Sequence, residues 1–218
     1  MPPGSAAESG PTASAPLPKL VVEGTRLTHK TDLLFALHEH PAVTGRRRYR
    51  YHFPVVSAEW GTLAPVPWGP SLISYPPELA DAARRGYDAW LELFRAHAHY
   101  PWFVDRFHVS TQVHQAAAGR PVDLRDVDTA LADLGFRHVL CVRDPATFRA
   151  ARLRRLEVSG NPSQYDDLEV FVREQEAMRA AVTASALPSL VVDVSDDDVE
   201  RAAEAVVAWL RQDGVVPT

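Results

Sequence analysis

The chain has 218 residues, 46% of them hydrophobic and 23% charged, with a formal net charge of −5. That is room for one α/β domain with a real core, and the acidic balance argues against a surface that coats nucleic acid. No apolar run approaches the ~20 residues a bilayer span requires, so no membrane association is expected. Cys141 is the single cysteine, which excludes a disulfide framework or a cysteine-built zinc site.

Residues 1–18 are rich in Pro, Ala, Ser and Gly, with neither a basic stretch nor an apolar core. They are expected to form a disordered tail rather than a signal peptide, leaving 19–218 as one domain. The run Leu20-Val21-Val22, closed by Glu23-Gly24, predicts a buried strand. Residues 31–40, with Leu33, Leu34 and Leu37 on one face, predict a helix, and a second strand fits within 49–57. Residues 58–77 hold Pro65, Pro67, Pro70, Pro76 and Pro77 and read as a long irregular connection, a kind of segment that is usually functional. Between 77 and 99, Leu79, Ala83, Tyr87, Trp90, Leu91, Phe94 and Ala98 form a helical stripe flanked by Arg84. Trp102-Phe103-Val104-Asp105 predicts a strand ending in an acid. Helices follow over 125–134, 146–156 and about 164–184, with strands over 138–142 and 190–193. The last helix carries Val199, Ala202, Ala203, Val206, Val207 and Leu210 on one face. Its first turn is expected to hold Asp196, Asp197 and Asp198, where the helix dipole favours negative charge. Short apolar strands alternating with amphipathic helices imply a parallel sheet covered on both faces.

The first strand-turn-helix unit carries the chemistry. Gly24, Lys30 and Thr31 fit the phosphate-loop pattern G-x-x-x-x-G-K-[ST] at the right spacing, while His29 stands where the second glycine belongs. Such a loop converges backbone N–H groups on a phosphate, brings a lysine to the β/γ-phosphates and places a hydroxyl on magnesium. Of 23 basic residues only Lys19 and Lys30 are lysine. Position 30 is where a compact ammonium fits and a planar guanidinium fits poorly.

The segment Asp105-Arg106-Phe107-His108-Val109-Ser110-Thr111-Gln112, with Gln115 beyond it, resembles the Asp-Arg-aromatic-x-x-Ser-Thr-Gln-x-x-Gln segment of bacterial thymidylate kinases. With Glu23-Gly24, Lys30-Thr31 and the arginine-rich stretch after Asp144-Pro145, the chain resembles the thymidylate kinase-like group of P-loop nucleoside and nucleotide kinases. The resemblance implies a three-layer P-loop kinase fold: a five-stranded parallel sheet, helices on both faces and an Arg-rich lid over roughly 145–165. It implies ATP and Mg2+ as cofactors, a small-molecule nucleotide or nucleoside acceptor, a cytoplasmic location and a homodimer. Gly24, Thr25, Thr28, His29, Lys30 and Thr31, with Arg155, would hold the nucleotide. Lys30 would neutralise the transferring phosphate, and Thr31 with Asp105 would hold magnesium. Arg106 would bind the acceptor's phosphate, Arg84 would contact its base, and Ser110 and Gln115 would line the base pocket. Arg149 and Arg152, at i and i+3, share a helix face and would clamp phosphates from the lid.

The sequence departs from that pattern at His29, at Arg26 where relatives carry an acid, and after the second strand, where Arg46-Arg47-Arg48-Tyr49-Arg50 and then Glu59-Trp60 replace an Arg-Glu-Pro segment. Glu59 is a candidate general base toward a sugar hydroxyl. The expected activity is transfer of a γ-phosphate from a nucleoside triphosphate to a nucleoside monophosphate. A non-catalytic kinase fold that binds a nucleotide or partner, and a kinase of a nucleoside or metabolite hydroxyl using Glu59, are the alternatives. His38, His40, His97 and His99 read as helix-end residues, His108 and His114 as pocket-lining or surface residues, and Cys141 as a buried inert thiol.

Overall fold

The computed structural model describes residues 17–44, 55–59, 63–64 and 69–217. Most of the expected tail, the arginine cluster at 46–50 and Trp60 lie outside the described residues.

The described chain runs β1 (Lys19–Glu23), α1 (Lys30–Glu39), α2 (Pro41–Thr44), β2 (Val55–Ser57), α3 (Ala80–Ala96), β3 (Trp102–Asp105), α4 (His108–Ala117), α5 (Arg125–Asp133), β4 (Arg137–Val142), α6 (Phe148–Leu156), α7 (Leu168–Ala184), β5 (Ser189–Asp193) and α8 (Val199–Gln212). The strands form one all-parallel sheet in the order β2-β3-β1-β4-β5. No helix among the described residues is long and apolar enough to cross a membrane.

The period-2 pleat divides the apolar residues between two layers of helix. Leu20, Val22, Val139 and Cys141 face α1 and α8, where Leu33, Leu34, Leu37, Ala203, Val206, Val207 and Leu210 meet them. Val21 and Val104 face the opposite way, toward Tyr87, Leu91 and Phe94 of α3 and Val127 and Leu131 of α5. Leu140 and Val142 pack on Val109 and Val113 of α4 and Met178 and Val182 of α7. Burial of each such side chain contributes roughly 1.5–3 kcal/mol.

This is the three-layer arrangement the alternating pattern implied, with differences at the element ends. Proline sets several of them: Pro41 opens a separate helix after α1, and Pro77, Pro145 and Pro162 each start a 3-10 turn rather than the helix itself. The helix expected from about 164 begins at Leu168, where Asp167 caps it by accepting from the Glu169 N–H at 3.0 Å. Only Asp198 serves the start of α8, accepting from the Arg201 N–H at 2.9 Å. Asp196 and Asp197 precede the helix, and Asp197 sits at φ 60. Helix α4 has no clean apolar stripe, because His108, Ser110, Thr111 and Gln115 are buried beside Val109 and Val113.

β1 lies between β3 and β4, and the chain leaves it first toward β3 and β2, then crosses to β4 and β5. In an open parallel sheet that reversal leaves a crevice at the carboxyl ends of the strands, the usual place for a ligand.

Candidate nucleotide site

The loop after β1 enters that crevice. Gly24 stands at φ +146, and a Cβ there would lie 2.6 Å from the Cys141 carbonyl oxygen and 2.8 Å from Thr28 Oγ1. Only glycine fits, because both the torsion and the space exclude a side chain. His29, the N-cap of α1, adopts φ 51 and ψ 23, in the left-handed region. That is the conformation for which glycine is favoured; histidine reaches it more often than most residues, at a cost of about 1–2 kcal/mol. Its ring turns out of the loop, with Nδ1 2.8 Å from Asp32 Oδ2 and Nε2 2.9 Å from Asp197 Oδ1. Histidine at this position therefore preserves the bend and spends both ring nitrogens on Asp32 and Asp197.

The Asp32 hydrogen bond, joined against burial by the bond to Asp197, raises the His29 pKa above its ordinary value. A group whose pKa rises on folding stabilises fully below its unfolded value, near 6.5, and loses that contribution as pH climbs through the folded value. His29→Asn tolerates the left-handed conformation but does not titrate. Unfolding free energies of the two proteins from urea titrations at pH 6 to 9 are expected to converge by roughly 0.5–1 kcal/mol as pH rises, the scale of a partly exposed ion pair; a constant difference would exclude the charged histidine.

The rest of the loop is fastened from every side. Thr25 Oγ1 donates to Glu174 Oε2 of α7 at 2.6 Å, and Thr28 Oγ1 donates to the Thr25 carbonyl at 2.8 Å. Arg143, buried at the end of β4, donates from Nε to the Leu27 carbonyl at 2.9 Å and pairs with Asp197. Asp197 also pairs with Arg154 from α6. Lys30 is buried, and its Nζ donates to the Thr25 carbonyl at 2.6 Å. Burial, with the Arg106 guanidinium second, pushes its pKa down to about 8.

Thr31 and Asp105 lie side by side: Thr31 Oγ1 donates to Asp105 Oδ2 at 2.6 Å. Asp105 Oδ1 is buried with no hydrogen-bond partner. An unpaired carboxylate oxygen beside a hydroxyl, at the carboxyl edge of the sheet, fits a hydrated magnesium ion. Arg106, at φ 59, is also buried; its Nε lies 3.3 Å from Glu59 Oε2, and Arg26 Nη1 lies 3.2 Å from Glu59 Oε1. Burial alone would push the Glu59 carboxyl up, but Arg106, Arg26 and Lys30 outweigh it and hold it below the usual range.

Other expected site residues stand elsewhere. Arg84 is exposed on α3 and pairs with Asp88 and with Asp126 of α5, so it does not reach into the crevice. Ser110 donates to Glu23 Oε2 at 2.5 Å, and Gln115 donates to the Tyr75 carbonyl at 3.0 Å while accepting from Arg120. Both are buried internal contacts rather than groups turned toward a base. In the segment expected to form a lid, Arg152 and Arg155 both hold Tyr165, through its carbonyl at 2.7 Å and its hydroxyl at 3.1 Å. Arg149 is exposed and makes no ion pair among the described residues, so the two expected clamp arginines share no partner. His108 is neither surface nor pocket-lining but buried against Asp128 at 2.9 Å, and His114 lies 3.5 Å from Glu174.

Three further residues hold the site together in ways that no motif indicated, although Glu23 stands within the quoted Glu23-Gly24 pair. Glu23, fully buried, accepts from the Phe107 N–H at 2.9 Å and from Ser110, capping α4 from the end of β1. Arg143 and Asp197 join the loop to β4, α6 and the segment before α8. The available signal was position: each charged group stands at or just beyond the carboxyl end of a parallel strand.

The five-stranded all-parallel sheet, with helices on both faces and the loop over 24–31 at its switch point, makes up a three-layer α/β fold of the P-loop type. No family model matches the chain, and no curated protein does. Among solved structures it is similar to the YorR protein of Bacillus subtilis, solved in complex with phosphorylated GDP, at 16% identity over 89% of this chain and 96% of that one, with a TM-score of 0.56. It is also similar to a gluconokinase from Sinorhizobium meliloti 1021, at 16% identity over 90% and 94% of the two chains, with a TM-score of 0.47. The YorR likeness establishes the fold.

Proposed function

We propose that this protein is a phosphotransferase. It moves the γ-phosphate of a nucleoside triphosphate, bound by the loop over 24–31, to an acceptor seated over Arg106, with a thymidylate-like nucleoside monophosphate as the favoured acceptor. The observation that carries this reading is the meeting of Lys30, Thr31 and Asp105 at the switch point, with Asp105 Oδ1 buried and unpaired. YorR, which shares the fold, was solved with a phosphorylated GDP, in keeping with a nucleotide ligand.

Phosphoryl transfer needs positioning and charge neutralisation more than covalent chemistry. Lys30 Nζ turns from the Thr25 carbonyl to a phosphate oxygen, which raises its depressed pKa back toward the charged form. Thr31 and Asp105 would hold magnesium, which supplies charge neutralisation at the phosphates when bound. The Arg26 and Arg106 guanidinia, both paired with Glu59, offer an anionic acceptor group two cations against one carboxylate. Arg154 reaches the loop through Asp197 and is the lid arginine nearest to the phosphates by connection.

A second reading follows from Glu59 itself. An ionised carboxylate within 3.3 Å of Arg106 could accept a proton from an acceptor hydroxyl instead of yielding to an acceptor phosphate.

A coupled assay of nucleoside diphosphate release, run over thymidylate, other monophosphates, nucleosides and sugars, separates the two. Turnover confined to monophosphates supports the first reading, and turnover with hydroxyl acceptors that Glu59→Gln abolishes supports the second. No Lys30-dependent turnover with any acceptor excludes both. Asp105→Asn keeps an acceptor for Thr31 but removes the charge; kcat is expected to fall by about 10²–10³, with a higher magnesium requirement.

A further inference from the structure

We propose that His108, Asp128 and His138 form a binding site for a zinc-class divalent cation, separate from the nucleotide site. The three come from different elements: His108 opens α4, Asp128 lies on α5 and His138 on β4. One ligand atom from each lies within 4.8 Å of the other two. His108 Nε2 is 2.9 Å from Asp128 Oδ1, and the two imidazoles stack with centroids 5.2 Å apart at an angle of 26°.

Burial makes this cluster unusual. His138 is 0% exposed and His108 1%. Neither nitrogen of His138 has a hydrogen-bond partner, and Nδ1 of His108 has none either. A buried polar nitrogen without a partner forfeits its hydration with nothing in return. On β4, His138 points to the same face as Leu140 and Val142, where an aliphatic side chain would pack without that penalty. A cation takes the single lone pair of each neutral imidazole, which accounts for one unpartnered nitrogen on each ring and leaves the second nitrogen of His138 as an N–H.

Two imidazoles and one carboxylate are a three-residue set suited to Zn2+, whose fourth position takes water. Imidazole also suits Co2+, Ni2+ and Cu2+, while Mg2+ and Ca2+ prefer oxygen. Asp128 is already oriented as a ligand, because its carboxylate accepts from Ser185 Oγ at 2.5 Å and the Ala186 N–H at 2.7 Å. Asp128 and Ser185 also line a groove of about 930 Å³ between α4 and α7, so the carboxylate end of the cluster borders solvent-accessible space while both imidazoles stay buried behind it.

Location assigns the ion a structural role. His138 pairs in register with Val21, three residues before Gly24, which at 3.3 Å per residue is about 10 Å from the start of the loop. A cation there ties α4 and α5 to β4, bracing the helix that follows Asp105 and Arg106.

The test uses the full chain, freed of any affinity tag and chelator-treated, with Co2+ and Zn2+ as probes. One equivalent of Co2+ is expected to produce tetrahedral visible bands that one equivalent of Zn2+ abolishes, and Zn2+ is expected to raise the Tm. His138→Gln is expected to weaken Zn2+ binding at least tenfold, while His97→Asn leaves it unchanged. Should His138→Gln fail to fold, anomalous diffraction from Zn2+-soaked wild-type crystals decides: a peak between His108, Asp128 and His138 is expected. Absence of tetrahedral bands, undiminished affinity in a folded His138→Gln, or an anomalous peak only at other histidines overturns the proposal.

Discussion

Lys30→Met is expected to lower kcat for phosphoryl transfer by at least about 10³ while leaving the fold as stable as the parent, or more so. On the proposed function, the activity loss follows from removing the ammonium assigned to the transferring phosphate, in a site where charge stabilisation supplies much of the rate. The stability gain follows from the same burial. Lys30 is 8% exposed, and its pKa falls from 10.5 to about 8. At about 1.36 kcal/mol per unit, keeping it charged costs the folded state about 3 kcal/mol. The sign is fixed by proton counts. Below pH 8 both states hold the proton and the penalty is full. Between 8 and 10.5 the unfolded chain binds more protons, so stability rises with pH. Methionine has similar length and no charge, and the Thr25 carbonyl keeps its hydrogen bond from Thr28. Urea unfolding of both proteins is therefore expected to show the wild type gaining about 2 kcal/mol on Lys30→Met between pH 8 and 9.5. A nucleotide phosphate restores the charged form, so Mg-ATP binding by the wild type near pH 8.5 takes up protons, measurable by calorimetry in buffers of different ionisation enthalpy. A variant that keeps its activity, or a pH-independent difference in stability, would refute this account of Lys30.

What the sequence revealed and what it withheld divide along one physical line. The strands, most helices and the Lys30, Thr31 and Asp105 set were legible because each follows from a local period or from fixed offsets after a strand. Residues whose role depends on a distant partner were not. Arg84 flanks the apolar stripe of α3, but helical spacing leaves two flanks, and Asp126 on α5 decides which way the side chain turns. Ser110 and Gln115 read as pocket residues until Glu23 and the Tyr75 carbonyl, 87 and 40 positions away, occupy them. His29 read as a defect because its identity is visible in sequence while its torsion is not. At φ 51 it does what glycine would do, and it adds two acidic partners. The acids before α8 were assigned to the helix dipole by proximity. Asp197 instead crosses to His29, Arg143 and Arg154, a destination set by tertiary packing.

Arg143→Leu is expected to destabilise the protein by about 3 kcal/mol and to weaken Mg-ATP binding at least tenfold. The Arg143 side chain is fully buried, and breaking a buried ion pair typically costs 3–5 kcal/mol. The low end applies because Asp197 is 26% exposed and keeps His29 and Arg154 as partners. Leucine also strips donors from the Leu27 and Ser195 carbonyls, which the guanidinium reaches at 2.9 and 3.4 Å. The backbone of residue 143 stays pinned in either case, since the Gln175 amide accepts from its N–H at 2.7 Å and donates to its carbonyl at 2.9 Å. The loss therefore reports the side chain and not a frayed strand. Because Leu27 is held at φ 66 inside the loop over 24–31, releasing its carbonyl loosens the backbone that, on the proposed function, presents N–H groups to phosphate. Arg143→Lys separates charge from geometry: a lysine can still neutralise Asp197 but cannot bridge it to both carbonyls, so it should recover stability more than nucleotide affinity. The double-mutant cycle with Asp197→Asn is expected to give a coupling of about 1–3 kcal/mol. Urea unfolding and calorimetric titration of Mg-ATP measure both quantities. An Arg143→Leu protein within about 0.5 kcal/mol of wild type, the level of an ordinary surface change, would show that the loop is held by its other tethers and that Arg143 is not their hub.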